Sequence, residues 1–177
     1  MTVQTIVLGG GCFWCTEAVF EQVQGVQAVE SGYCNGHFPK PSYEQVCTGQ
    51  TGHAEVVRVT FEADQIRLQD ILAIFFATHD PTTLNRQGHD VGTQYRSGIY
   101  CYEEEQVAVA RAVLLEAQHA FGGRVVTEVV ALKDYSRAED EHQRYFARHP
   151  GQGYCAAVIA PKVAKFHKVF ADRLKPT

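Results

Sequence analysis

The amino-acid sequence predicts an α+β fold, a two-layer sandwich with a ferredoxin-like (split βαβ) core and long loops. Three observations predict it. Strand-like and helix-like stretches mix along the chain as βαβ-βαβα-βα, without the regular alternation of an all-parallel sheet. Short apolar or alternating runs bounded by turn residues read as strands beside longer stretches with helical spacing. Two long irregular stretches, 34–52 and 80–95, are rich in Gly, Pro and polar residues, the composition of functional loops.

The elements follow in order. "TIVLGGG" reads as a buried strand ending in a turn, and positions 12–24 place Phe13, Ala18, Phe20 and Val23 on one side of a helix. "VQAVESGY" is a second strand. After the first long loop, "HAEVVRVTFE" alternates as a strand does and "LQDILAIFFATH" has helical spacing. After the second, "SGIYCY" is a strand, 103–121 a helix and "RVVTEVVAL" a strand. Helical patterns over 138–148 and 161–174 close the chain, separated by "HPGQGYC".

The 177 residues suit one domain, 1–177, with a core large enough to need no metal or disulfide staple. With 45% hydrophobic and 20% charged residues, disorder is not expected. A net charge of -4 without any basic block argues against nucleic-acid binding. No apolar stretch approaches a membrane span, and the N-terminal segment has no basic region of the kind that precedes a signal core. The expectation is a cytoplasmic monomer with reduced cysteines. Those cysteines are residues 12, 15, 34, 47, 101 and 155; Met1 is the only methionine.

"GGGCFWCTEAVF", residues 9–20, is the stretch richest in chemistry. A strand, a glycine turn and a helix put Cys12 at the helix start, where unpaired N–H groups and the dipole favour a thiolate, the nucleophilic form. The same position also suits a small buried hydrophobe. The CxxC spacing further admits a dithiol–disulfide oxidoreductase using Cys12 and Cys15. A zinc site fits poorly, because no second CxxC or HxxxH supplies the other ligands, and neither a metal nor a cofactor is expected.

Three stretches together resemble the A-type peptide methionine sulfoxide reductases: "GGGCFW" at 9–14, "SYEQVCTGQTGHAEVV" at 42–57 and "HDPTTLNRQGHDVGTQYRS" at 79–97. "AEDEHQRYF" followed by "GYC" at 153–155 agrees in order and spacing. The resemblance implies thiol-dependent reduction of methionine S-sulfoxide, free or in proteins. Cys12 attacks the sulfoxide sulfur, the oxygen leaves, methionine is released and Cys12 becomes a sulfenic acid, which condenses with a second thiol. It implies Glu55 as the acid, Tyr43 and Tyr95 as phenols bonding the sulfoxide oxygen, and Asp90 as an organising carboxylate. Phe13 and Trp14 would be apolar walls receiving the methyl group. Thioredoxin would be the reductant. Without the resemblance, Glu55 reads as a solvent-facing strand residue and Phe13 and Trp14 as helix core.

The sequence departs from the family at Cys15 and Cys34, where small residues are common, and in lacking a Gly-rich, cysteine-bearing tail after "GYC". The resemblance makes Cys155 the resolving thiol, with Cys15 and then Cys34 as alternatives. Cys47 and Cys101 are expected to be inert.

Overall fold

The computed structural model describes residues 2–175, so Met1 lies outside the described residues. Its centre is a six-stranded mixed sheet of β1 (Val3–Gly9), β2 (Val26–Cys34), β3 (Ala54–Glu62), β6 (Gly98–Cys101), β7 (Glu128–Ala131) and β8 (Ser136–Arg137). The strand order is β7-β6-β1-β3-β2-β8. Only β6 and β7 pair in parallel. The mixed α/β class matches the sequence expectation. A two-stranded ribbon of β4 (Arg86–Gln87) and β5 (Asp90–Val91) lies within the second irregular stretch.

Alternation along the strands separates two apolar clusters. Ile6, Leu8, Val57, Val59 and Phe61 enter the main core with Phe13 and Phe20 of α1 (Phe13–Phe20), Ile71 and Phe75 of α3 (Leu68–Ala77), and Ala110 and Val113 of α4 (Glu104–Ala120). Val7, Cys34, Ala54, Val56 and Tyr100 form a smaller cluster beneath Leu132 and Tyr135. Burying both faces explains why β1 reads as an apolar run.

Helix α1 is buried on nearly every side, Glu17 included. Besides its contacts with β2 and β3, it packs against α5 (Tyr145–Arg148), the π-helical turn Cys155–Ile159 and α6 (Ala160–Val169). The C-terminal segment therefore wraps the helix that carries Cys12.

Two expectations are corrected. The 34–52 stretch contains a short helix, α2 (Tyr43–Cys47), started by a capping box in which Ser42 and Gln45 bond each other's backbone N–H. The 138–148 stretch is only a 3-10 turn at 140–142 followed by α5. Its backbone is drawn to the sheet instead. The Ala138 N–H donates to Ser31 O, and the Gln143 side chain bonds both the N–H and C=O of Ser31. Arg144 then turns the chain at φ 53°. No described helix is long and apolar enough to cross a membrane.

Candidate active site

The Gly9–Gly11 turn packs against the loop that follows α3. A Cβ on Gly11, at φ +94°, would stand 2.6 Å from Gln87 Cγ, so only glycine fits. Gln87 is itself pinned, bonding both the N–H and the C=O of Asp80. This turn delivers Cys12 to the N-cap of α1, with 8% of its surface exposed.

Glu55 shares the β3 face of Val57, Val59 and Phe61 and is 1% exposed. Its Oε1 accepts the Phe13 N–H at 3.2 Å, while Oε2 is buried without a partner. Burial raises its pKa to about 8, opposed by the Phe13 N–H and reinforced by Asp90 and Cys15. Its burial corrects the solvent-facing position that the strand pattern alone suggests for Glu55.

Tyr43 and Tyr95 are half-buried, and burial followed by the Glu55 charge raises both phenols, so they carry their protons. The Tyr43 N–H donates to Glu139 Oε2 and the Tyr33 hydroxyl donates to Glu139 Oε1. Phe13 is fully buried, its ring 5.5 Å from the His142 ring and 5.6 Å from that of Tyr33. It belongs to the main core cluster. Trp14 is partly exposed, stacked on Tyr145 at 3.7 Å between ring centres, and donates from Nε1 to His142 Nδ1.

Three of the cysteines meet. Cys12, Cys15 and Cys155 share one cluster with Ala18, Ile159 and Val163, edged by Trp14, Tyr95 and Tyr154. Burial raises Cys12 well above the usual thiol range, with the Cys15 hydrogen bond and the Glu55 charge adding to it. Its partner moves the other way: the hydrogen bond from Cys12 lowers Cys15 to about 7. The helix start favours a thiolate on Cys12 while burial opposes it, and the two thiols titrate as one pair in which Cys12 is raised and Cys15 lowered. Cys34 faces the other side of the sheet, in the smaller cluster. Cys101 is buried in β6, whereas Cys47 is exposed at the end of α2.

Asp90 accepts the Tyr154 hydroxyl at 2.7 Å, and that hydroxyl lies 3.7 Å from Cys15 Sγ. Sequence reasoning assigned no role to Tyr154, His142, Glu139 or Tyr145, although all lie in the matching C-terminal stretch. Glu139, Glu141 and His142 are the one group among the described residues whose ligand atoms lie within 4.8 Å of one another. Glu139 and His142 already accept bonds from Tyr33, Tyr43 and Trp14.

A cysteine at a helix start, a buried proton-holding carboxyl and two phenols are the equipment of a thiol-based redox enzyme. The family model for peptide methionine sulfoxide reductase matches residues 4–174. The peptide methionine sulfoxide reductase MsrA of Ralstonia nicotianae is 58% identical over 98% of this chain and 94% of its own. Methionine sulfoxide reductase A of Corynebacterium diphtheriae superposes with a TM-score of 0.81 at 37% identity, covering 88% of this chain and 78% of that one. Reduced Mxr1 of Saccharomyces cerevisiae gives 0.80 at 34%, covering 86% and 88%. The chain belongs to the peptide methionine sulfoxide reductase family.

Proposed function

We propose that this enzyme reduces the S epimer of methionine sulfoxide, free or in proteins, through Cys12. The observation that carries the reading is Glu55: a buried carboxyl beside the nucleophile, holding a proton near neutrality, with Oε2 unpartnered. A sulfoxide oxygen leaves only when protonated, and Glu55 supplies that proton. As Cys12 attacks the sulfoxide sulfur, its own proton passes to the Cys15 thiolate. Tyr43 and Tyr95 donate to the oxygen, and Trp14 forms an apolar wall for the methyl group. Oxygen and methyl pockets on fixed sides admit one hand of the chiral sulfur.

The net result of the first stage is transfer of one oxygen atom from the sulfoxide to Cys12, giving methionine and a sulfenic acid. The oxidised sulfur then becomes a disulfide within the Cys12, Cys15 and Cys155 cluster, reaching Cys155, and a thioredoxin-type dithiol reduces it. Mxr1 has been solved in complex with Trx2, which supports this donor. A general dithiol oxidoreductase would have no use for the acid or the phenols.

We also read residues 1–177 as one domain. The β6-β1-β3-β2 order, antiparallel at every pairing, supports a split βαβ core. The test of function is turnover of the separated epimers with dithiothreitol by the wild type and Cys12→Ser. The expected result is S-epimer reduction alone, abolished by the substitution; disulfide reductase activity without sulfoxide turnover would overturn the reading.

A further inference from the structure

We infer that a groove between α3, α4 and α6 binds an acidic segment of another protein, one that carries an apolar side chain. Binding there needs no step of the proposed sulfoxide reduction, and none of the residues assigned to that chemistry lines the groove.

The groove has a volume of about 650 Å³, within the range of ligand sites. Much of its surface is apolar: Phe76 and Ala77 at the end of α3, Phe121 just after α4 and Val169 at the end of α6. Val169 is 56% exposed, so an occupant gains by covering it. Gln87 and His79 join the groove to the turn that carries Cys12. Gln87 packs on Gly11, and a Cβ on Gly10 would stand 3.3 Å from the His79 ring. The groove is therefore a neighbour of the candidate active site with a lining of its own.

Three cations stand around the apolar surface: Arg124 after α4, and Lys162 and Lys165 on α6. The spacing of the two lysines puts them on one face of the helix. None of the three pairs with a carboxylate among the described residues. The one carboxylate in the wall, Asp80, is engaged by Thr82, whose N–H donates to it at 2.9 Å and whose hydroxyl donates at 2.5 Å. Three positive charges against one negative leave the wall cationic, in a chain whose net charge is -4.

A helix C-terminus attracts cations, but the end of α3 does not need these. The Thr78 hydroxyl donates to Ile74 O at 2.7 Å, and His79 Nδ1 bonds Phe75 O at 2.5 Å. The other polar side chains of the wall are satisfied as well. His79 Nε2 bonds the Ser97 hydroxyl, and Gln87 bonds both backbone groups of Asp80. The cations are what the wall offers a ligand, and an anion is what they take. A small inorganic anion would leave Phe76, Phe121 and Val169 uncovered, whereas a peptide covers them. In an extended peptide alternate residues share a face. Glu-Ser-Phe-Ser-Glu thus puts two acidic side chains and one apolar side chain on the same side.

The experiment titrates the protein with fluorescein-labelled Ser-Glu-Ser-Phe-Ser-Glu-Ser, which has neither methionine nor cysteine and so bypasses the proposed chemistry. Anisotropy should show saturable binding that weakens as salt rises. Peptides with Lys for both Glu, or Ala for Phe, should each bind about tenfold more weakly or worse. Arg124 and Lys165 are exposed, so the double variant Arg124→Glu with Lys165→Glu should keep the thermal midpoint and lose affinity by a similar factor. A benzophenone in place of the phenylalanine ring should crosslink to 76–82, 121–124 or 165–169. No binding, equal binding of the lysine peptide, or crosslinks elsewhere would overturn the inference. Inorganic phosphate binding as tightly as the peptide at equal ionic strength would make this a small-anion site and overturn the peptide occupant. The exposed Tyr102–Glu105 segment of a second copy has the same chemistry. Self-association in sedimentation that the double variant abolishes would seat that copy in the groove and overturn a foreign partner.

Discussion

Glu55 Oε1 accepts the N–H of Phe13, the first peptide of the helix that Cys12 caps, at 3.2 Å. One oxygen of the proposed acid is thus tied to the turn that holds the proposed nucleophile, while the other has no partner. Glu55→Gln keeps an acceptor for Phe13 and loses the ionisable proton. Single-turnover methionine formation should fall by about 10²–10⁴-fold, the usual worth of a positioned acid. With Glu55 at about 8 and Cys15 at about 7, the wild-type rate should rise with pH through the first limb and fall through the second. The variant should lack the falling limb; a falling limb that survives would show that another group titrates there.

Both phenols keep their protons because burial and the nearby Glu55 charge raise them. Tyr43→Phe and Tyr95→Phe each remove one proposed donor to the sulfoxide oxygen and should each reduce kcat/KM by about 1–2 kcal/mol, on the order of tenfold. The double variant is the sharper measurement. A loss no greater than that of either single change would mean that only one phenol reaches the oxygen.

Glu17 offers a stability prediction independent of catalysis. Burial raises it to about 7, reinforced by the Glu21 charge and opposed by the backbone N–H groups of Arg144 and Tyr145 and by the Ser31 hydroxyl. A carboxyl raised in the folded state contributes stability that is complete below the unfolded value and lost as pH rises through the folded one. Wild-type stability should therefore decline between about pH 4.5 and pH 7 on this account, by about 3 kcal/mol. Urea unfolding of Glu17→Gln should show the variant gaining on wild type across that window, whereas a constant difference would contradict the assignment.

Gly11→Ala should destabilise the fold by about 1–3 kcal/mol. Its Cβ meets Gln87, which cannot swing away without breaking two bonds to Asp80. The thermal midpoint should fall, and Cys12 alkylation should change with it because the turn sets where the nucleophile stands.

The strands and the long helices were legible because apolar spacing survives in short windows: 103–121 was expected as helix and Glu104–Ala120 is one. Glu55 was legible in principle, since it is in phase with Val57, Val59 and Phe61 on β3. The C-terminal third was not. Residues 138–148 read as a helical pattern, yet the free edge of β2 takes the Ala138 N–H and the Gln143 side chain. Periodicity within a segment carries no record of a partner more than 100 residues away. Tyr154 was hidden for the same reason, because its role depends on Asp90 from a distant loop. The rise of Cys12 above the usual thiol range was hidden too, because it comes from burial, which the helix start alone does not reveal.

Three thiols gathered at one end of α1 also set how many electrons the chain can lend before it must be recharged. Where the disulfide comes to rest decides this: held between Cys15 and Cys155 it would leave Cys12 reduced for a second sulfoxide, and held on Cys12 it would not. Without reductant the wild type should release two methionines per chain, the second leaving its oxygen stranded on Cys12; removing Cys155 should cut the yield to one. Two methionines per chain would make the cluster a small electron store, separating the pace of sulfoxide reduction from the supply of reductant.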